Sequence, residues 1–258
     1  MNMRLDGQRA VVTAGAGGAG LVIGRTLAGE GAHVFVGDVD PYAIAKLPPS
    51  LMGTVVDVAE PAAVHDWLAP IASAGVDILV NNAGVAGPTK PIEEITPEEW
   101  RRCVTVGLDS QFLCTREVVP AMKAAGSGSI VNIASTAGYL GMPYRTPYVA
   151  AKFGVVGLTK TLAMELGRDG IRVNAIAPGS IVGDRMDRVV AAQAQADSAT
   201  LEEVETMYTQ SVSLARFVEP EEIAEMVVYL CSHHARSISG QVIGVDGNTE
   251  TLYPRPLD

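Results

Sequence analysis

The sequence is poor in cysteine and in charged residues. Its 258 residues include three cysteines, Cys103, Cys114 and Cys231, and only 19% of the chain is charged. Three widely spaced cysteines fit neither a disulfide framework nor a CxxC metal pair, so we interpret them as buried apolar residues. The net charge is −10, and Lys and Arg form no run. Because binding to a phosphate backbone needs clustered cations, we expect no nucleic-acid partner.

Long apolar runs are also missing. No stretch approaches the roughly 18 apolar residues that a membrane-spanning helix needs, and residues 1–7 show no apolar signal core. We therefore expect a cytoplasmic protein without a membrane partner. The histidines are not paired with acids or cysteines at helical spacing, which predicts no metal site; they are His33, His65, His233 and His234.

Apolar residues are plentiful, at 48% of the chain. This composition excludes disorder, and a chain of this length can bury a large core without disulfides. The low charged fraction also favours a surface that sister subunits partly cover. No linker or repeat divides the sequence, so we predict a single domain over residues 1–258.

Short β-branched runs alternate with longer helical patterns, which is typical of βαβ units. Helices are predicted to begin near Gly18, Pro61, Pro97, Pro147 and Pro220, four of them at a proline suited to a first turn. We predict an α/β fold, a three-layer doubly wound parallel sheet of the Rossmann type. Its seven strands are predicted at residues 9–13, 33–37, 54–58, 76–80, 129–134, 172–177 and 241–245.

Residues 183–214 interrupt this alternation with a polar helical stretch after the sixth strand. Ligands of open α/β sheets bind beyond the carboxyl ends of the strands, and long inserts in compact domains are usually functional. We therefore interpret this segment as a small helical lid over a substrate; a plain pair of surface helices is the alternative.

A glycine-rich turn joins the first strand to the first helix. Glycines at this point let the backbone approach a pyrophosphate, which the helix N-terminus favours electrostatically. Asp38 ends the second strand 18 residues after Gly20, near the spacing expected for a ribose-binding acid. Its carboxylate would repel a 2′-phosphate, and neither Gly17 nor Val39 supplies a compensating cation. The sequence therefore favours NAD over NADP.

The pattern Tyr-x-x-x-Lys occurs twice, at Tyr42 to Lys46 and at Tyr148 to Lys152. Tyr42 precedes two prolines and has no serine at the end of a strand before it, so we interpret it as part of a surface loop or short helix. Tyr148 and Lys152 lie one helical turn apart. Ser135 precedes Tyr148 by thirteen residues, at the end of the fifth strand.

On these residues the chain resembles the short-chain dehydrogenase/reductase family along essentially its whole length. The motifs that carry the resemblance are the glycine-rich turn at residues 13–20, Asp57-Val58, Asn81-Asn82-Ala83-Gly84, Ser135, Tyr148 with Lys152, Asn174, Pro178-Gly179, Ser239-Gly240-Gln241 and Val245-Asp246-Gly247. The resemblance implies reversible hydride transfer between a nicotinamide and a carbonyl or alcohol. It also implies a homotetramer or a homodimer.

A catalytic set follows from this reading. Negative charge grows on the oxygen of a carbonyl that accepts a hydride, so an acid must protonate that oxygen and a donor must stabilise it. We expect Tyr148 to be the acid, Lys152 to favour its phenolate form and Ser135 to hold the substrate. The expected cofactor contacts are Gly15, Gly17, Gly18, Ala19, Gly20, Asp38, Val39, Asp57, Val58, Asn82, Ala83, Gly84, Tyr148, Lys152, Pro178, Gly179 and Ile181.

Three positions depart from the family pattern. Ala14 stands at the usual first glycine of the turn, which is tolerable if its φ angle is negative. Gly183 replaces a threonine that often contacts the carboxamide. Gly107 replaces an asparagine that anchors a water in the family's proton relay, so we expect either a kink in that helix or ordered water in its place.

The substrate is the least defined feature. Its pocket is predicted to involve residues 85–88, 136–144 and 183–214, and Tyr139, Tyr144 or Arg145 could reach it. We expect a secondary alcohol or ketone of a small hydroxylated metabolite. The alternatives are a 3-oxoacyl thioester on a carrier protein, which the charge of −10 disfavours, and a catalytically weak nucleotide-sensing relative. The tail over residues 249–258 is expected to form an extended arm.

Overall fold

The computed structural model describes residues 3–252, except for the side chains at 185, 192, 196 and 197. Seven parallel strands form one sheet in the order β3-β2-β1-β4-β5-β6-β7. The predicted doubly wound fold is therefore confirmed. Most of the tail expected to form an arm lies outside the described residues. The strands are β1 Arg9–Thr13, β2 His33–Asp38, β3 Leu51–Val55, β4 Ile78–Asn81, β5 Gly128–Ile133, β6 Ile171–Pro178 and β7 Val242–Val245.

Helices cover both faces of the sheet. On one face α1 and α9 bury Ile23, Leu27 and Val227 against the strands, and on the other α3 and α5 bury Leu68 and Met122. The predicted helix starts are confirmed, with proline in the first turn of α3, α4, α6 and α9. The helices are α1 Gly18–Gly29, α2 Pro41–Ala45, α3 Pro61–Ser73, α4 Pro97–Val104, α5 Ser110–Ala125, α6 Thr146–Leu166, α7 Asp184–Asp197, α8 Leu201–Gln210 and α9 Pro220–Cys231.

The prediction of the third strand at residues 54–58 is wrong by three residues. The observed β3 is an edge strand that pairs only with β2, and four of its five residues are exposed. The β-branched Val56 and Val58 suggested a strand because they are apolar. Both lie just past its end and pack with Trp67 in the core. Asp57 therefore stands beyond the carboxyl edge of the sheet, where ligands of such folds bind.

The helix from Pro97 to Ala125 contains a π-helical turn at Thr105–Asp109. A π turn adds one residue to a helical turn and is frequent at functional sites. Gly107 is buried within it. The expected irregularity at this glycine is thus present.

The segment after β6 forms the helical pair α7 and α8. The pair has its own small core, in which Met186, Val190 and Val204 are buried. All three cysteines are buried as expected. Within residues 3–252, none of the helices combines the length and apolar character that a membrane span requires.

Candidate functional site

The glycine-rich turn is open on the side where two of its glycines lie. A Cβ atom added to Gly17 or Gly18 would meet nothing within 4 Å, and Gly18, with φ of +51°, opens α1. Gly20 is the opposite case, because a Cβ there would lie 2.2 Å from the carbonyl oxygen of Ala14. Gly15 is similarly confined, with Val36 2.9 Å from an added Cβ. The turn is therefore tightly packed at Gly15 and Gly20, and its backbone is accessible at Gly17 and Gly18.

Ala14 does not have the negative φ angle that the sequence analysis required. Its φ is +49°, in the left-handed region that disfavours a residue with a Cβ. Its carbonyl oxygen accepts a hydrogen bond from Asn82 Nδ2 at 3.1 Å. This contact ties the strained residue to the end of β4.

The Asp38 carboxylate belongs to the same turn. Its Oδ2 accepts from the backbone N–H of Ala16 at 3.0 Å, and its Oδ1 accepts from the backbone N–H of Asp40 at 3.1 Å. Val39 is exposed beside it. The two backbone donors fix a negative charge next to the open glycines.

The loop after β4 is held against β1 by Thr13. The Thr13 hydroxyl accepts from the backbone N–H groups of Asn82 and Ala83, both at 2.9 Å. The Asn82 side chain also donates to the Thr13 carbonyl. The Asn82 side chain therefore joins the loop after β4 to the end of β1. Two residues later, Gly84 faces the site, since a Cβ there would lie 3.5 Å from Lys152 Nζ.

A cation that the sequence analysis missed stands beside Asp57. Arg102 Nη1 of α4 lies 3.5 Å from Asp57 Oδ2. The other carboxylate oxygen accepts from the backbone N–H of Ala59, and Val58 is buried between these polar groups. The pair is half exposed, so it contributes little stability, but it orients the carboxylate at the rim of the site.

Ser135, Tyr148 and Lys152 converge at the end of β5. Lys152 is only 4% exposed, and its Nζ donates to the carbonyl oxygen of Ile133 at 2.8 Å. The same Nζ lies 5.8 Å from the centroid of the Tyr148 ring. Ser135 follows β5 directly, in extended conformation, and caps the turn Thr136–Gly138 by accepting from the Ala137 N–H. A charged amine, a phenol and a hydroxyl thus share one end of the sheet.

Arg145 adds a second cation to this group. Its guanidinium carbon lies 5.3 Å from the centroid of the Tyr148 ring, and its Nη2 donates to the Ala86 carbonyl at 2.7 Å. The side chain is 8% exposed. Arg145 was expected only as a residue that could reach a substrate. It is the N-cap residue of α6, and its nearness in sequence to Tyr148 was the available signal.

Tyr139 and Tyr144, both expected near the substrate, lie in different environments. Tyr139 donates from its hydroxyl to Asp246 Oδ2 at 2.8 Å, and burial together with this carboxylate raises the pKa of Tyr139. It therefore remains protonated at neutral pH. Tyr144 is exposed and adopts a φ of +65°, a strained conformation of the kind that clusters at functional sites.

The segment after β6 runs along the end of β7. Gly179 donates from its N–H to the Val245 carbonyl, and a Cβ on Gly179 would lie 3.0 Å from the Cα of Asp246. Pro178 is buried at the strand end, and Ile181 forms an isolated bridge with Val218. This segment, which contains the expected cofactor contacts Pro178, Gly179 and Ile181, is thus held beside β7 by backbone contacts.

The other two departures from the family pattern, Gly183 and Gly107, are explained by backbone conformation and by packing, respectively. Gly183 has a φ of +132° and precedes α7, a conformation that a threonine would adopt only with strain. A Cβ on Gly107 would lie 3.2 Å from the Cβ of Ala151. Because α6 fills the space at this side of Gly107, ordered water in the position of an asparagine side chain is disfavoured there.

The second Tyr-x-x-x-Lys pattern is separate from this group. Tyr42 is exposed on the short helix α2, which Asp40 caps. Lys46 ends that helix and lines a cavity of about 320 Å³ together with Ala16 and Asp40. The predicted surface helix is therefore confirmed.

The described residues fit a nicotinamide dinucleotide. Two open glycines at a helix N-terminus suit a pyrophosphate, and the fixed carboxylate of Asp38 suits ribose hydroxyls. Gly84 leaves room in front of Lys152 that a Cβ would reduce. These features lie at the ends of four neighbouring strands, β2, β1, β4 and β5.

Comparison with known proteins agrees with this geometry. A family model described as enoyl-(acyl carrier protein) reductase matches residues 14–248. The chain is 36% identical to D-beta-hydroxybutyrate dehydrogenase of Rhizobium meliloti over 92% of its length and 96% of the relative's. It is 33% identical to a 3-oxoacyl-(acyl-carrier-protein) reductase of Thermotoga maritima, with 95% and 98% covered.

Solved structures give the same result. An actinorhodin polyketide ketoreductase variant crystallised with NADPH superposes with a TM-score of 0.89 at 35% identity, covering 95% of this chain and 97% of that one. NAD+-bound xylitol dehydrogenase superposes with a TM-score of 0.88 at 28% identity, covering 93% and 98%. The similarity to a hydroxybutyrate dehydrogenase and to ketoreductases supports a nicotinamide-dependent oxidoreductase of secondary alcohols and ketones. The chain therefore belongs to the short-chain dehydrogenase/reductase family.

Proposed function

We propose that the protein is an NAD(H)-dependent dehydrogenase that interconverts a secondary alcohol and a ketone of a small hydroxylated metabolite. The observation that carries this proposal is the buried Lys152 ammonium beside the Tyr148 ring. The Ile133 carbonyl accepts a hydrogen bond from Lys152 Nζ, which offsets part of the cost of burying an ammonium there. This ammonium would stabilise a phenolate formed at Tyr148 during turnover.

In this proposal four side chains share the acid–base work. A bound nicotinamide supplies or accepts the hydride. For ketone reduction, the Tyr148 hydroxyl gives its proton to the substrate oxygen, and the Ser135 hydroxyl donates a hydrogen bond to that oxygen. Lys152 and Arg145, on either side of the phenol in sequence, stabilise the phenolate that remains. Alcohol oxidation reverses these steps.

Support for NAD comes from Asp38, whose carboxylate is fixed by two backbone N–H groups beside the glycine-rich turn. A 2′-phosphate brought to this position would be repelled. Lys46 is the observation that favours NADP, because it places a cation in the cavity beside Ala16 and Asp40. Relatives with each cofactor are similar in structure to this chain, so the two observations must be weighed by experiment.

The cofactor test compares kcat/KM for NAD and NADP. We expect the wild-type enzyme to prefer NAD, and Asp38→Ser to increase the relative use of NADP by about tenfold or more, since about 1.4 kcal/mol of repulsion corresponds to a factor of ten. Lys46→Ala should lower only the activity with NADP. A wild-type preference for NADP that Lys46→Ala abolishes would reverse the assignment.

The substrate test is a panel of secondary alcohols, polyols, hydroxy acids and 3-oxoacyl thioesters, each measured with both cofactors. Helices α7 and α8 are proposed as the lid, because they follow the end of β6 and pack on their own small core. Similarity to a 3-oxoacyl reductase keeps the thioester as the alternative substrate. Dinucleotide binding without turnover across the panel would instead support the nucleotide-sensing alternative.

The catalytic test uses the two tyrosines that precede a lysine by four residues. Tyr148→Phe should lower kcat by at least about 10²-fold, the lower end of the effect of a general acid. Tyr42→Phe is the matched control, because Tyr42 is exposed on α2; it should leave kcat unchanged. Equal effects of the two substitutions would remove Tyr148 from the proposed role.

We also propose that the protein is a homotetramer or homodimer that associates through α5 and α6. Phe153 and Met164 are exposed on α6, at 47% and 86%, and Phe112 is exposed on α5. Residues 153 and 164 lie three turns apart on the same helix face. Exposed apolar side chains grouped in this way mark interaction sites, and a second copy of the chain presents the same face.

A further inference from the structure

A buried glutamine in α5 has no assigned role. Gln111 is 1% exposed, and neither its Nε2 nor its Oε1 has a hydrogen-bond partner within residues 3–252. Asn81 Oδ1, at the end of β4, is a third buried polar atom in the same condition. Buried polar groups in native proteins almost always have a partner, and ordered water is the usual one where protein atoms do not serve.

The neighbours of Gln111 form layers between α5 and α6. Gly107 meets Ala151 in the layer next to Lys152. Thr115 and Thr159, eight residues further along each helix, belong to a polar layer with two asparagines of the sheet. In that layer Asn81 Nδ2 donates to Thr115 Oγ1 at 3.1 Å and to Asn132 Oδ1 at 2.9 Å, and Asn132 Nδ2 donates to Thr159 Oγ1 at 2.9 Å.

Gln111 occupies the layer between these two. It precedes Thr115 by four residues on the regular part of α5, so these two share one side of the helix, and it lies just after the π turn that contains Gly107. On α6 the corresponding residue is Val155, which is fully buried and apolar. Asn81 Nδ2 contacts Thr115, which lies one turn along α5 from Gln111, so Gln111 and Asn81 both lie at the interface of α5 with β4.

We propose that Gln111 and Asn81 hold an internal water molecule between α5 and β4, and that this hydrated amide positions Lys152. The water accepts a hydrogen bond from Gln111 Nε2 and donates to Asn81 Oδ1 or to Gln111 Oε1. It steadies Asn81, which binds Asn132. Asn132 immediately precedes Ile133, whose carbonyl accepts from Lys152. Gln111 is thus a positioning residue, and it supplies a polar side chain one turn from the glycine at position 107.

The direct test is a high-resolution crystal structure of the wild-type protein. We expect a water within hydrogen-bond distance of the Gln111 amide and of Asn81 Oδ1. An amide bonded directly to protein atoms, or packed dry among side chains, would overturn the proposal. This measurement does not depend on turnover.

The functional test rests on the proposed dehydrogenase activity and uses Gln111→Met, which keeps the volume and removes the polar atoms. We expect kcat to fall by about tenfold, as a displaced catalytic group would cause, with KM for the alcohol little changed. The rising limb of the pH profile for alcohol oxidation should move to higher pH. Gln111→Glu, whose buried carboxyl group is favoured in its neutral form and can then both donate to the water and accept from it, should recover part of kcat.

A merely structural role predicts a different pattern. If the amide is only an unfavourable buried group, Gln111→Met should raise the melting temperature and leave kcat and the pH profile unchanged, which would overturn the proposal. If Gln111→Met does not fold, the crystal structure and the Gln111→Glu profile decide. A wild-type protein that contains the water but turns over no substrate would overturn the proposed dehydrogenase function and leave the water site intact.

Discussion

A single methyl group distinguishes the glycine-rich turn of this protein from the pattern of its family. Ala14 has a φ of +49°, where a Cβ costs about 1 to 2 kcal/mol. The residue is held there because its carbonyl accepts from Asn82 and would clash with any side chain at position 20. Removing the methyl group of Ala14 should therefore relieve the strain without changing the rest of the turn.

Ala14→Gly should stabilise the protein by about 0.5 to 1 kcal/mol, because the relief of strain exceeds the added entropy of glycine in the unfolded chain. The measurement is the midpoint of urea unfolding at constant m value. Ala16→Gly is the matched control; Ala16 is buried, so losing its methyl group should destabilise the protein. A less stable Ala14→Gly variant would contradict the strain argument.

The cysteines provide a second residue-scale prediction. Burial raises the pKa of Cys114 and of Cys231 to about 12 in each case, so neither forms the reactive thiolate at pH 8. We expect no fast reaction of these two thiols with a disulfide reagent in the native protein, and reaction of all three after unfolding. Fast native labelling of Cys114 or Cys231, located by mass spectrometry, would contradict this.

At the scale of elements, the N-terminus of α9 is organised by one carboxylate. Glu222 accepts from both terminal nitrogens of Arg216 at 2.7 and 2.8 Å, and also from the Glu219 N–H at 2.9 Å. The Arg216 side chain, followed by the Glu219 N–H, lowers the pKa of Glu222 to about 2 from the ordinary 4.5. The carboxylate thus caps the helix and binds the preceding loop.

Glu222→Gln should destabilise the protein at pH 7 by no more than about 1 kcal/mol, since the pair is partly exposed. A carboxyl group with a lowered pKa stabilises the folded state above its unfolded pKa, and this contribution is lost as pH falls. The stability difference should therefore close between pH 4.5 and about 2. Unfolding curves at several pH values test it, with Glu221→Gln on the same turn as control. A difference at pH 2 as large as the one at pH 7 would contradict the assignment.

The elements also show what local sequence can predict. The positions of most strands, the helix starts and the residues at strand ends follow from patterns of burial and capping, which are local. The error at β3 arose because Val56 and Val58 are apolar for a tertiary reason, their packing against Trp67. The pair of Tyr139 with Asp246 joins residues 107 positions apart, and the sign of φ at Ala14 depends on its packing. Such features require the folded chain.

At the scale of the whole molecule, association through α5 and α6 gives a sharp test. Phe153→Asp should lower the oligomer mass measured by light scattering, because a charge in an apolar interface is left unpaired; a dimer should fall to the monomer value of 27.0 kDa. Val55→Asp is the control, since Val55 is equally exposed on the edge strand β3. A monomeric wild-type protein, or an unchanged mass for Phe153→Asp, would contradict the proposed interface.

The π turn at Thr105–Asp109 sets how α4 meets the rest of the molecule. Each residue of a regular α-helix advances about 100° around the axis, so one extra residue turns all of α4 by roughly that angle relative to α5. Cys103 then faces Gly87, where an added Cβ would lie 2.9 Å from its Sγ. Deleting one residue from the turn should therefore bring a different side chain of α4 against the loop that contains Gly87. The number of residues in the turn thus determines which side chain of α4 borders the predicted substrate pocket.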